Sequence, residues 1–229
     1  IFVLRFQDFI TLNGSPIFNY AAKVKELHGQ SAPVFLRAVG ADYLGCVHSG
    51  IMHSIPMHFP GIRVYAPMTP VEYRACWNDF MEHDDPMYVS EHKISFLNKD
   101  ETPDIVEYDA VITLYAIGAP RFAAIEAVNV LKQQGIVCNL VHVSRLKPMK
   151  LGRREIAPLQ CSGLGLVVDA GFEICGVSRD LAYRLMDATG VPVKALGLQD
   201  RTKLLCPPYQ NSSPDAAEII EYVGHILKT

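Results

Sequence analysis

The sequence predicts an α/β fold: two doubly wound domains, each built on a mainly parallel sheet. Three observations lead there. Short apolar runs of strand length alternate with amphipathic stretches of helix length along the chain, the pattern of strand–helix units on a parallel sheet. Pro and Gly punctuate these stretches where helices start and stop. A polar, turn-rich stretch, "NKDETPD" at 98–104, splits the alternation into two halves and marks a boundary. The domains are therefore expected over 1–100 and 104–229.

The elements follow in order. "IFVLRF" reads as a strand, and because a domain rarely begins inside a buried strand, residues upstream of Ile1 are expected. Residues 15–28 read as a helix, with Ser15 as N-cap, Pro16 at the first helical position and Gly29 as terminator. "PVFLRAV" (33–39) and "IRVYAP" (62–67) are strands, the second stopped by Pro67. "TPVEYRACWNDFMEH" (69–83) is a helix capped by Thr69, started by Pro70 and reinforced by Glu72. "PMYVSEH" (86–92) is the next strand. In the second half, strands are expected at 108–118, 136–144, 163–170 and 191–198. Helices are expected over "PRFAAIEAVNVLKQQG", "GVSRDLAYRLMDATG" and a capped terminal stretch at 213–227. No internal repeat or low-complexity segment interrupts them.

Composition narrows the function classes. The 229 residues leave room for two domains, and with 49% hydrophobic and 20% charged residues each half can fill a core. A net charge of -3 and a pI near 6.2 give no electrostatic footprint for nucleic acid or an acidic membrane surface. No apolar run reaches the roughly 20 residues that cross a bilayer, and nothing resembles a cleavable signal peptide. The six cysteines (Cys46, Cys76, Cys138, Cys161, Cys175, Cys206) are widely spaced with no C-x-x-C pair. That suits reduced thiols in a cytoplasmic protein.

Chemistry concentrates in "LGCVHSGIMHSIPMHFPG" (44–61), where His48, His53 and His58 recur every five residues. A spacing of five does not align ligands on one helical face as i, i+4 does. With no H-E-x-x-H and no Cys partner, a metal site is not expected. His53 and His58 read as surface or packing residues of an irregular turn. His48 differs, because it lies in a Gly-flanked loop after a strand, where active-site residues of parallel sheets collect. An imidazole there can give or take protons near neutral pH. The competing reading is a buried His bonded to backbone.

The stretch "HSGIMHSIPMHFPGIRVYAPMTPVEYRA", with "RFQDFI…NYAAK" upstream and "HDDPMYVSE" downstream, resembles the 2-oxo acid dehydrogenase E1 β subunits. The second half, with "GVSRDLAYRL" after an apolar strand, is similar to the transketolase C-terminal domain. The resemblance covers essentially the whole chain. It implies a thiamine-diphosphate pyrimidine-binding domain over 1–100, lacking its N-terminal part, and a transketolase C-terminal-like domain over 104–229. It also implies an oxidoreductase role: a β-type E1 subunit that decarboxylates a 2-oxo acid and passes the acyl group to a lipoyl carrier. His48 matches the family histidine that faces the reactive end of the cofactor. Phe9, with Phe6 as second candidate, matches the aromatic residue beside the aminopyrimidine; both also suit strand-end core positions.

Other positions carry weaker implications. Ser49 would position the imidazole or the substrate. His53 stands where relatives carry Glu and is a substrate or positioning candidate. Glu91 reads as structural. Arg145 matches a basic position that supports an interface or an anionic group, or is an exposed Arg with no such task. Phe80, His83 and Asp85 fall where some relatives hold a potassium ion, with His83 replacing an Asp; no other metal ligands are expected in the chain. Gly50 replaces a usual Gln, and Ser15-Pro16 replaces a "DQ" pair. The G-D-G…N motif for diphosphate and Mg2+ is absent and belongs to the α partner, while the activating glutamate would lie upstream of the first strand.

This chain should therefore not be active alone. The implied assembly is an α2β2 heterotetramer, or a dimer, with an E1 α-like subunit. Thiamine diphosphate would be shared, Mg2+ held mainly by the partner, and a lipoyl-bearing E2 protein would accept the acyl group. The implied location is cytoplasmic, or the mitochondrial matrix in a eukaryote. Two alternatives stay open: the C-terminal half of a split transketolase-like enzyme moving a two-carbon ketol unit, and a non-catalytic scaffold or regulatory subunit of the same fold.

Overall fold

The computed structural model describes residues 1–45, 47–202 and 211–228, so Cys46 and Cys206 lie outside the described residues. The chain forms two units. The first takes Ile1–Glu101 and Ser144–Lys150; the second takes Thr102–Val143 and Leu151–Asp200 and resumes at Ser213. No helix among the described residues is long and apolar enough to cross a membrane.

The first unit is built on β1 (Phe2–Leu4), β2 (Phe35–Gly40), β3 (Arg63–Tyr65) and β4 (Met87–His92). A late strand, β7 in chain order (Arg145–Lys147), completes the sheet, whose order is β1-β2-β4-β3-β7. All pairs are parallel except β3 with β7. Strands β2 and β4 are central and carry buried residues on both faces, as helix-covered parallel sheets require.

The helices of this unit are α1 (Ile10–Asn13), α2 (Ala22–His28), α3 (Ser54–Met57) and α4 (Pro70–His83). In α4 the cap signal holds: Thr69 accepts a hydrogen bond from the Glu72 N–H, and the Glu72 carboxylate accepts one from the Met68 N–H at 2.8 Å. Phe35, Tyr65, Cys76, Met87 and Val89 form the core beneath it.

Ser15 is not an N-cap. It lies in helical backbone, because α1 already precedes it and Pro16–Ala21 continue as a wide π-helical turn into α2. The Ser-Pro pair is a local start signal, but the preceding turn is already wound when the chain reaches it. Gly14 allows this path: a Cβ there would sit 2.6 Å from the Phe18 ring.

The second unit holds β5 (Ile112–Ile117), α5 (Pro120–Gln133), β6 (Cys138–Val143), α6 (Arg153–Ser162), β8 (Gly165–Phe172), α7 (Val177–Thr189), β9 (Val193–Leu198) and α8 (Ala216–Ile226). Its sheet is parallel, in the order β6-β5-β8-β9. Ile112, Leu114 and Ala116 pack with α5 and α8. The alternate side chains Thr113 and Tyr115 bond to α6, which packs on α7. Helices on both faces make the sheet doubly wound. The α8 cap is a reciprocal one, with Asp215 and Glu218 each accepting from the other's N–H.

This unit contains a histidine that must stay neutral. His142, on β6, is 2% exposed, and burial, followed by the Arg121 charge, pushes its pKa down to about 4. The unfolded chain binds a proton at about 6.5, so between pH 6.5 and 4 it holds more protons than the fold. Stability then falls as pH falls, by about 3 kcal/mol across the window. Amide exchange of β5 and β6, corrected for intrinsic rates, should quicken accordingly. His142→Asn should flatten that slope; an unchanged slope would mean another group sets it.

Candidate active site

Three side chains from two places in the sequence converge just beyond β1. Phe6 and His48 lie edge to face with ring centroids 4.6 Å apart, and Phe9 meets the same imidazole at 5.6 Å. The two phenyl rings are perpendicular at 6.0 Å. Together they make a corner of two aromatic walls and an imidazole, all partly exposed. The corner forms because β1 delivers Phe6 into a 3-10 turn, Gln7–Phe9, and the loop after β2 brings His48 across it.

The loop is fixed from beneath. Ser49 is 2% exposed and accepts a hydrogen bond from the Leu44 N–H at 2.8 Å, so it closes the loop's own turn. Asp8 accepts from the Gly50 N–H at 2.9 Å. A Cβ at position 50 would come within 2.5 Å of the Asp8 carboxylate. Gly50, which stands in place of a usual Gln, is thus what lets Asp8 approach.

Gln7, lying between the two phenylalanines, is fully buried and holds the frame together. Its amide nitrogen donates to Ser90 Oγ (2.8 Å), to Ala38 O and to Glu91 O; its oxygen accepts from the Met52 N–H (2.7 Å) and the Tyr88 hydroxyl. Sequence reasoning passed over it, because an isolated Gln beside charged residues carries no signal. Only the meeting of β2, β4 and the His loop gives it partners.

The other two histidines stand apart from the corner. His53 is 1% exposed, with Nδ1 3.3 Å from Ser90 Oγ, in the buried network of Gln7. His58 is exposed at the end of α3. The turn after it needs Gly61: its φ is 74°, and a Cβ would strike Ala22 O at 1.7 Å. Lys147 of β7 donates to Met57 O and Phe59 O, tying the same turn down. Burial lowers the pKa of that amine.

The three potassium-site positions do not gather round a vacant cage. Lys25 donates to His83 O at 2.8 Å and to Asp85 Oδ1 at 2.9 Å, so a side-chain cation already holds both acceptors. Asp85 also takes the Arg63 guanidinium. Phe80 packs on the Phe35 and Trp77 rings. Arg145 serves the same polar cluster, 3.4 Å from Asp79 and stacked over Tyr65. Among the described residues no three His, Cys, Asp or Glu side chains gather to hold a metal ion.

Two further groups border the corner. Lys93 Nζ lies 5.1 Å from the Phe6 ring centroid and Arg5 Cζ 5.9 Å from it. His92 anchors the turn that carries Lys93: its Nδ1 accepts from the Ile94 N–H, and its Nε2 lies 3.5 Å from the Asp42 carboxylate.

No family model matches the chain. Individual proteins do. Over 221 residues it is 27% identical to the β subunit of acetoin:2,6-dichlorophenolindophenol oxidoreductase from Cupriavidus necator, a match covering 90% of this chain and 64% of that one. It is 23% identical to the mitochondrial pyruvate dehydrogenase E1 component subunit beta of Bos taurus, covering 79% of this chain and 56% of the relative. The chain thus spans about three fifths of the length of the curated relatives it matches. Among solved structures, a split-gene transketolase described as an inactive β4 tetramer superposes with a TM-score of 0.74 at 20% identity, covering 97% of this chain and 74% of that one. That likeness establishes the transketolase-type fold.

Proposed function

We propose that this chain, a homologue of the acetoin oxidoreductase and pyruvate dehydrogenase E1 β subunits, is the β-type subunit of a thiamine-diphosphate-dependent 2-oxo acid dehydrogenase. The observation that carries the reading is the convergence of Phe6, Phe9 and His48 on one corner. Two mutually perpendicular phenyl walls fit a flat heteroaromatic ring, offering stacking and exclusion of water. When bound, the cofactor supplies a carbon nucleophile and a sink for the electron pair left by carbon–carbon cleavage.

The chain's own residues supply the rest. Phe6 and Phe9 orient the ring. His48, beside both walls, donates a hydrogen bond to the substrate oxygen or takes its proton, as an imidazole can near neutral pH. Asp8 and Ser49 hold its loop in place. The partner would be an E1 α-like subunit that holds Mg2+ and the diphosphate, in an α2β2 assembly that delivers the acyl group to a lipoyl-bearing E2 protein, in the cytoplasm or the mitochondrial matrix.

The test is co-expression with an α-like partner and an assay for thiamine-diphosphate-dependent release of carbon dioxide from a panel of 2-oxo acids. Release from at least one supports the reading. Turnover of ketose phosphates instead would assign a split transketolase. A complex that assembles yet does not take up the cofactor would be a scaffold.

A further inference from the structure

We infer that His92 is a positioning residue for His48. Through the Asp42 carboxylate it fixes the course on which the loop after β2 leaves the sheet and carries the imidazole to the aromatic walls. The inference rests on the assignment of the Phe6–Phe9–His48 corner as the reaction site, and adds a residue that acts on that corner from the neighbouring strand.

The two central strands end together. Gly40 and His92 are opposite each other in the last rung of the β2–β4 pairing, and beyond it the two segments part. β2 runs on into the loop that carries His48, and β4 into the turn Lys93–Leu97. His92 is 7% exposed. Its Nδ1 accepts from the Ile94 N–H at 3.3 Å, so the ring proton lies on Nε2. That nitrogen is 3.5 Å from Asp42 Oδ2 and makes no hydrogen bond. A buried N–H facing a carboxylate at this length attracts it even without a full hydrogen bond.

Asp42 is the point where this attraction acts on the loop. It stands two residues past the last paired residue of β2, and the next residue, Tyr43, has a left-handed backbone with φ 62°. A residue other than glycine keeps that conformation when its surroundings hold it there. The rest of the loop is held from other directions. Ser49 closes the turn back to Leu44, Asp8 takes the Gly50 N–H, and Gln7 takes the Met52 N–H. The Tyr43 hydroxyl donates to Ser212 Oγ at 3.1 Å on the exposed side. His92 ties β4 to the entry of the loop, six residues before His48. This role is separable from the start of the Lys93–Leu97 turn, which uses the other ring nitrogen.

Two substitutions separate the roles. His92→Asn keeps an acceptor for the Ile94 N–H, since Asn is a good N-cap, but is too short to reach Asp42. His92→Gln places an amide N–H near the position of Nε2 and keeps the reach. The experiment is NMR on the full chain with thermal melting alongside. It follows the ring signals of His48, which the Phe6 and Phe9 rings at 4.6 and 5.6 Å displace from those of an unstacked imidazole. In His92→Asn these signals should move toward the unstacked values with little change in melting temperature; in His92→Gln they should stay. Asp42→Ala, which spares the turn, should reproduce the His92→Asn shift, and the double variant His92→Asn/Asp42→Ala should add nothing to it. In the co-expressed complex, His92→Asn should lower kcat about ten- to a hundredfold with KM little changed, because a displaced group costs rate rather than binding, and His92→Gln should restore it. His48 signals unmoved by His92→Asn, equal losses in the Asn and Gln variants, or additive effects of Asp42→Ala would overturn the inference. Signals that move as expected, with no 2-oxo acid turnover by the complex, would leave the positioning role standing and remove the dehydrogenase reading instead.

Discussion

His48→Ala in the co-expressed complex is expected to lower turnover by about 10²- to 10⁴-fold, the range of a lost general acid–base, while subunit assembly and cofactor uptake persist. The reason is where the imidazole's contacts lie. Its neighbours are the Phe6 and Phe9 rings, and its backbone is held separately by the turn to Gly45 and by Ser49 beside it. Truncation therefore removes edge-to-face contacts of about 0.5–1.5 kcal/mol but strands no buried donor. His53→Ala should do the opposite. It opens a gap beside Ser90 in the buried Gln7 network and should cost about 1–3 kcal/mol of stability with near-normal turnover below the melting range. His58→Ala, at an exposed position, should change stability by no more than about 0.5 kcal/mol. Comparable losses of turnover in all three variants would sink the assignment, as would loss of cofactor uptake in His48→Ala to match its loss of rate.

How much of this was legible beforehand depends on how local each signal is. Helix α4 announces itself in four residues, Thr69 to Glu72, and its cap forms as those residues require. Strands β2, β5 and β6 are largely apolar runs whose burial on both faces suits parallel sheets. Helix α6 has only weak signals at its ends, the Glu155 carboxylate that accepts from the Gly152 N–H and the terminating Gly163. It starts at Gly152 without a side-chain cap, carries Pro158 inside and is mostly polar; it is held by packing and by bonds from Thr113 and Tyr115. Strand β7 is three residues long, and its partner β3 lies some eighty residues earlier, a pairing that no window of sequence displays.

The site divides the same way. As candidates, His48 stands out because a Gly-flanked loop after a strand is a positional cue, and Phe6 and Phe9 because the resemblance points at them; their meeting in space is what the sequence does not display. The residues that hold the corner together do not stand out. Gln7, Asp8, Lys93 and Lys147 have ordinary types in ordinary contexts, and each acquires its role from a neighbour distant in sequence. Lys25 is the sharpest case. Its place in α2 reads as solvent-facing, yet its ammonium holds the acceptors assigned to an ion.

Arg37→Leu is expected to destabilise the first unit by about 3–5 kcal/mol, the cost of leaving a buried charge without its partner. Arg37 and Glu91 lie diagonally on the pair β2–β4, where Arg37 is opposite Val89 and Glu91 opposite Val39. Their side chains meet in two parallel bonds, Nε to Oε1 at 2.7 Å and Nη2 to Oε2 at 3.0 Å. The pair is asymmetric: the Arg37 side chain is 41% exposed and Glu91 only 1%. Hydrogen bonding to Glu91 raises the Arg37 pKa, against the opposing effect of partial burial. Removing the guanidinium leaves a carboxylate sealed from water, whereas Glu91→Gln leaves a guanidinium that water can reach and should cost only about 1 kcal/mol. The double variant Arg37→Leu/Glu91→Gln should recover most of the loss, because a neutral amide is far cheaper to bury than a charge. Trp77, the single tryptophan, packs on Phe35 at the start of β2, so its fluorescence in urea reports this unit alone. The consequence reaches the candidate corner, since the Glu91 carbonyl also receives Gln7, and Gln7 holds the loop after His48 through Met52. Equal costs for the two single variants would show that the carboxylate is not desolvated, and that β2 and β4 hold the corner by backbone pairing instead.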